Sequence, residues 1–122
     1  MDREVIVRYY FAQILDAFKE LHKFNFMHRD IKPSNILVNN GVLKIADFGL
    51  ARQIIEGERE LFEEHVGTMI TAAPQIVFQE EYTSKCDIYS LGVILYWMIY
   101  NRYPFERVPN RQDFTENKLQ VP

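Results

Sequence analysis

Apolar residues recur at three- and four-residue intervals near the start of the chain, at Val7, Phe11, Ile14, Leu15, Phe18 and Leu21. That period predicts an amphipathic helix over residues 3–24, with Arg8, Gln13, Asp16, Lys19 and Glu20 on its polar face. Asn25 to Met27 leave the helix. Two short runs of β-type residues follow, Ile36–Val38 and Val42–Ile45, separated by Asn39-Asn40-Gly41. Asn and Gly tolerate the positive φ of tight turns, so this spacing predicts a hairpin. Further on, only Ser90 and Gly92 interrupt a large apolar run from Ile88 to Tyr100. Its 13 residues fall short of the ~20 that a membrane span needs. A helix apolar all round is expected to be buried. Ser84 with Asp87 three residues on resembles a capping-box start, and Asn101 suits a left-handed helix end. The expected fold is mainly α with a small β-hairpin.

Composition changes this picture little. The 122 residues are 48% hydrophobic and 25% charged, which fits one globular domain at most. A net charge of −3 without a basic stripe gives no reason to expect a nucleic-acid partner. The single cysteine, Cys86, excludes an internal disulfide and suits a reducing, cytoplasmic setting; it reads as a packed small residue. Met1 to Glu4 lack the apolar core of a secretory signal.

The chemistry is concentrated in two short stretches. His28-Arg29-Asp30-Ile31-Lys32-Pro33-Ser34-Asn35 is followed, twelve residues beyond Asn35, by Asp47-Phe48-Gly49. Phosphoryl transfer depends on positioning and electrostatics around a loose transition state. Asp30 is the candidate to take the proton of an attacking hydroxyl, and Lys32 to neutralise phosphoryl charge. Mg²⁺ prefers hard oxygen ligands, which Asp47 and the Asn35 amide can supply. Pro33 fixes its own φ and biases Lys32 away from helix.

These two stretches, in this order and spacing, resemble the catalytic loop and the magnesium-binding motif of eukaryotic protein kinases. Lys32, two residues after Asp30, is similar to the serine/threonine branch. The resemblance is strongest over residues 3–105. It implies a partial kinase domain across 1–122: most of the large, C-terminal lobe, with the N-lobe absent and its parts expected before residue 1. It implies ATP and Mg²⁺ as cofactors and a protein substrate. Lys32, Asn35, Leu37 and Asp47 would face the nucleotide, Leu37 against the adenine ring. Phe48 and Gly49 complete the magnesium motif. His28 is structural in that family, Thr68 bonds the catalytic aspartate and lysine, and Asp87 anchors the catalytic-loop backbone.

Departures from the family pattern lie in Gly67-Thr68-Met69-Ile70-Thr71-Ala72-Ala73-Pro74-Gln75. Thr71 stands where the family has tyrosine, which puts substrate-loop geometry in question. Gln75 replaces a glutamate, a replacement also similar to some autophagy-initiating kinases. Arg29 beside Asp30 implies control by a phosphate on the intervening segment, yet residues 53–66 contain no Ser, Thr or Tyr. One of Glu56, Glu58, Glu60, Glu63 and Glu64 standing in for that phosphate, paired with Arg29, is the alternative to a merely solvated acidic loop. The expectation is a serine/threonine kinase domain present as an incomplete fragment, inactive alone. The rival is a non-catalytic, truncated kinase-like binding or regulatory module, with a partner on the exposed face of the 88–100 helix.

Overall fold

The computed structural model describes residues 2–54, 67, 68 and 70–115. Helix α1 spans Arg3–Lys23 and opens on Asp2, whose Oδ1 accepts the Glu4 backbone N–H at 3.3 Å. Helix α3, Cys86–Tyr100, packs against it. Between them run β1 (Phe26–Met27), a 3₁₀ turn (Pro33–Asn35), β2 (Ile36–Asn39), β3 (Val42–Ile45), β4 (Arg52–Gln53) and α2 (Pro74–Val77). A short α4, Arg111–Thr115, ends the described residues.

Two apolar clusters hold these elements. Ile14 and Phe18 of α1 meet Ile31, Leu43 of β3, and Leu91 and Ile94 of α3. Met27, Ala72, Ala73, Ile76, Tyr82 and Cys86 form the second. Helix α3 contributes to both, so it ties the two halves together. The predicted stripe on α1 needs one correction. Val7, Ile14 and Phe18 are buried, whereas Leu15 is 47% exposed. Leu15 is rotated about 100° from Ile14, which carries it off the buried stripe.

The predicted hairpin forms as β2–β3, antiparallel, with Ile36 opposite Ile45 and Asn39 opposite Val42. Asn40 (φ 52°) and Gly41 (φ 76°) make the two-residue turn with both φ values positive, as right-twisted strands prefer. A second strand pair was not expected from the pattern. β1 pairs antiparallel with β4, Met27 opposite Arg52, and fastens the chain before His28 to the chain after Gly49. Strands of two residues are too short to show periodicity, so this contact exists only in three dimensions.

Helix α3 departs from expectation at its start. Lys85 is its N-cap without any side-chain cap bond, so the capping box expected from Ser84 and Asp87 does not form. The Asp87 carboxylate turns inward instead. Leu91, Val93 and Ile94 are buried, whereas Ile88 is 57% exposed and Ile99 and Tyr100 lie open, so this apolar helix has the exposed face expected of it. Its C-terminus behaves as predicted, with Asn101 left-handed (φ 57°) and its N–H on the Trp97 carbonyl. The polar tail also carries structure. Asn110 Oδ1 accepts the Asp113 N–H at 2.9 Å, while Asp113 Oδ2 accepts the Asn110 N–H at 2.8 Å. This reciprocal cap starts α4, and Arg107 grips both Asp113 oxygens. No helix among the described residues is long and apolar enough to cross a membrane.

Candidate active site

The loop from His28 to Asn35 is held from below by one carboxylate. Asp87 is 1% exposed. Its Oδ2 accepts the His28 backbone N–H at 2.8 Å, and its Oδ1 the Arg29 N–H at 2.9 Å. Those donors point into the protein because Arg29 adopts φ 68°, a left-handed conformation that a non-glycine residue holds only when its surroundings compensate. His22 Nε2 donates to the same Asp87 Oδ2 at 3.0 Å. Sequence reading missed His22, although it sits four residues after Phe18, on the buried stripe. A hydrogen-bonding side chain on an apolar stripe was the available signal.

His28 is fully buried. Its Nδ1 accepts the Asp30 backbone N–H at 3.1 Å, which puts the ring proton on Nε2. Nε2 donates to the Ala46 carbonyl at 3.0 Å. The ring also meets Phe48 edge-on, with centroids 5.1 Å apart. His28 therefore joins the loop bearing Asp30 to the segment bearing Asp47.

Asp30 is buried, and its two oxygens have different surroundings. Oδ1 accepts the Thr68 backbone N–H at 3.0 Å and the Thr68 hydroxyl at 2.9 Å. Lys32 Nζ lies 3.7 Å from Oδ2. Thr68 reaches Asp30 because Gly67 passes against the loop. A Cβ on Gly67 would lie 2.3 Å from the Arg29 carbonyl oxygen, and Gly67 has φ +86°. Only glycine fits this crossing. Thr71, where the family has tyrosine, is tied to both Thr68 and α3. It is buried, and its hydroxyl donates to the Thr68 carbonyl at 3.1 Å. Its own carbonyl accepts the Ser90 hydroxyl at 2.6 Å. Gln75 is exposed.

Asn35 and Asp47 sit at the open end of the hairpin. The Ala46 N–H donates to the Asn35 carbonyl at 2.8 Å, which carries the β2–β3 pairing one step beyond the strands and brings Asp47 alongside. Asn35 is buried, and its Nδ2 donates to the Asp30 carbonyl at 2.7 Å. Its amide oxygen is left for another partner. Asp47 is exposed, with φ 58°, and its Oδ1 accepts the Gly49 N–H at 3.2 Å. No group of three or more His, Cys, Asp or Glu residues suited to a metal occurs among the described residues. A cation here would take one carboxylate and one amide oxygen from the protein and the rest from substrate and water. That oxygen-only, partly open donor set suits Mg²⁺. Leu37 is 55% exposed on the hairpin face that it shares with Lys44.

Arg29 does not point freely toward solvent. Its Nε donates to the Leu50 carbonyl at 2.8 Å and its Nη1 to the Tyr82 hydroxyl at 3.1 Å. Tyr82 carried no sequence signal for this. The five glutamates considered as partners for Arg29 lie outside the described residues. Cys86 is buried at the start of α3, and burial, helped by the Asp87 charge, pushes its thiol from an ordinary 9.0 up to about 12. That suits a packed residue rather than a nucleophile.

An aspartate held by a threonine, a lysine beside it, and an asparagine–aspartate pair on a rigid hairpin make up a phosphate-handling arrangement of one recognisable class. A family model described as the protein kinase domain matches residues 2–121. The chain belongs to the protein kinase family, whose members generally use ATP and Mg²⁺ and act on proteins. It is similar to the mitosis inducer protein kinase cdr1 of Schizosaccharomyces pombe, with 43% identity over 100 residues, covering 80% of this chain and 16% of that one. Serine/threonine-protein kinase chk1 of the same yeast is 38% identical over 120 residues, 96% of this chain and 24% of its own. Rhodopsin kinase GRK1 of Rattus norvegicus is 39% identical over 109 residues, 85% of this chain and 19% of its own. The chain thus spans between 16% and 24% of the length of these relatives. Their names come from unlike kinases and give the autophagy-related reading of Gln75 no support.

Proposed function

We propose that the chain is the catalytic-loop portion of a serine/threonine protein kinase's large lobe, acting on protein Ser and Thr hydroxyls with ATP. The observation that supports this most is the asymmetry of Asp30. Thr68 occupies Oδ1, so Oδ2 is the oxygen left to meet a substrate hydroxyl. In the reaction the hydroxyl oxygen bonds to the γ-phosphorus. The bond from that phosphorus to the bridging oxygen breaks, ADP departs with the electron pair, and the proton passes to Asp30. Lys32, beside Oδ2, offsets charge on the moving phosphoryl group. Asn35 and Asp47 would hold Mg²⁺, and Leu37 would lie under the base. Bound Mg²⁺ supplies charge neutralisation at the phosphate oxygens.

Domain extent belongs to this reading: residues 1–122 are part of a kinase domain. So does a cytoplasmic setting. We expect the 122-residue chain alone to be inactive, because the described residues leave Leu37 and the open hairpin face uncovered. The presence of Asp30, Lys32, Asn35 and Asp47 together favours this reading over the rival non-catalytic module. The test uses the protein immunoprecipitated from its own cells, assayed for phosphate transfer from labelled ATP to mixed peptides, followed by phosphoamino-acid analysis. Phosphoserine and phosphothreonine are expected, with a loss on the order of 10²–10⁴-fold in Asp30→Asn. Phosphotyrosine as the product, or transfer unaffected by Asp30→Asn, would overturn the reading.

A further inference from the structure

One polar side chain of α1 bonds to the hairpin backbone at two points. Gln13 faces the hairpin turn, partly buried. Its Nε2 donates to the Gly41 carbonyl at 3.0 Å, and its Oε1 accepts the Leu43 backbone N–H at 2.8 Å. A primary amide that donates to one backbone carbonyl and accepts a nearby N–H does what an edge peptide of a third strand would do. One turn earlier on the same face, the Tyr9 hydroxyl donates to the same Gly41 carbonyl at 3.1 Å. The next residue after Gln13, Ile14, is fully buried against Leu43 in the core cluster. Helix α1 therefore grips this hairpin through apolar packing and through backbone recognition together.

Two-stranded hairpins are marginal in isolation and can slip. A slip of one residue would turn Leu43 out of the core. It would also break the Ala46 N–H bond to the Asn35 carbonyl at the far end. We infer that Gln13 is a positioning residue: by fixing the turn and the Leu43 register, it sets where Asn35 and Asp47 stand relative to each other. The inference rests on the reading of Asn35 and Asp47 as the cation-holding pair. The register claim itself does not depend on that reading, which lets the two be tested apart.

The test is amide hydrogen exchange by NMR on the full 122-residue chain, comparing wild type with Gln13→Met and Gln13→Glu. Methionine keeps length and helix propensity but offers neither hydrogen bond. Exchange at Leu43 should accelerate about tenfold or more in Gln13→Met. Exchange at Ala46, the far-end reporter, should accelerate with it. The Ile14 and Ile94 methyl signals should stay in place. Glutamate retains the acceptor for the Leu43 N–H, so Gln13→Glu should keep Leu43 close to wild type and show at most a partial effect at Ala46. If Gln13→Met does not fold, Gln13→Glu against wild type decides: rapid Leu43 exchange in a folded Gln13→Glu protein refutes the acceptor role. Acceleration confined to Leu43, with Ala46 unchanged, overturns the positioning role and leaves a local clamp. Titration with Mn²⁺ alone gives the second readout. In wild type the Asn35 side-chain amide and the Asp47 backbone amide should broaden together, and Gln13→Met should need several-fold more Mn²⁺. If wild type shows no broadening, the cation reading fails while the Ala46 result still judges Gln13.

Discussion

The loop carrying Asp30 and the segment carrying Asp47 meet through His28, yet they are built on opposite principles. The first is over-determined. Its backbone donors end on Asp87, its carboxylate on Thr68, and its asparagine on its own carbonyl. The second is lightly held. Asp47 and Gly49 are exposed, and they bond locally, Gly49 N–H to Asp47 Oδ1, while the loop reaches the segment at its flanks, through His28 to the Ala46 carbonyl and Arg29 to the Leu50 carbonyl. Both contain a left-handed non-glycine residue, Arg29 and Asp47. The difference lies in how that conformation is kept. At Arg29 it is enforced by a buried carboxylate. At Asp47 an aspartate side chain tolerates it by bonding locally. On the proposed reading, the group that would take the proton is the one locked by the fold. The group that would admit a ligand is left accessible.

The largest effect should come from removing the anchor of the first region. Asp87→Ala orphans the His28 and Arg29 N–H groups in a buried place, and loses His22 as well. It should destabilise the chain by about 3–5 kcal/mol, read as the midpoint shift in urea denaturation. Next is Gly67→Ala. The added Cβ would strike the Arg29 carbonyl and demand a disfavoured φ, so about 2–4 kcal/mol should be lost. The Thr68 amide should lose exchange protection, while Gly49 remains as it was. An unchanged Thr68 amide would show that the crossing does not hold Asp30.

A pH scan sharpens the same contrast, since the buried floor beneath the loop contains Cys86. The folded thiol titrates near 12 and an unfolded one near 9.0. Below pH 9 both states keep the proton, and the stabilising contribution is fully present. Above pH 9 the unfolded chain binds fewer protons, so unfolding becomes easier by about 1.4 kcal/mol per pH unit until the folded thiol also titrates. Denaturant melts between pH 8 and 11 should show this slope, and Cys86→Ala should flatten it above 9. Tyr89, pushed by burial to about 12 from 10.0, adds a later decline that Cys86→Ala leaves untouched. The smallest expected effect on stability lies in the open region. Asp47→Asn should change unfolding free energy by less than about 0.5 kcal/mol, because asparagine keeps the local bond and the left-handed backbone. It should nevertheless abolish Mn²⁺-induced broadening at Asn35. A large stability loss would place Asp47 among the structural anchors instead.

What the linear order of residues determined was local. The three- and four-residue apolar spacing specified α1. Asn40-Gly41 specified the hairpin turn, because few residues accept two successive positive φ values. The types and spacing of Asp30, Lys32, Asn35 and Asp47 were legible as the groups the proposed chemistry calls for, on two stretches separated by one strand-turn-strand unit. Tertiary structure decided the rest, because those contacts pair residues far apart in sequence. From the residues alone Asp87 is a helix-start charge, and only the family resemblance pointed to an anchor; the inward turn of its side chain puts its two oxygens on the His28 and Arg29 amides, 59 and 58 residues away. His22, Tyr82 and Gln13 gained their roles in the same way, each from a partner on another element. The two-residue β1–β4 pair and the Gly67 crossing have no periodicity to reveal them. A buried N–H must find an acceptor, but sequence does not say which one, and that choice is made by packing.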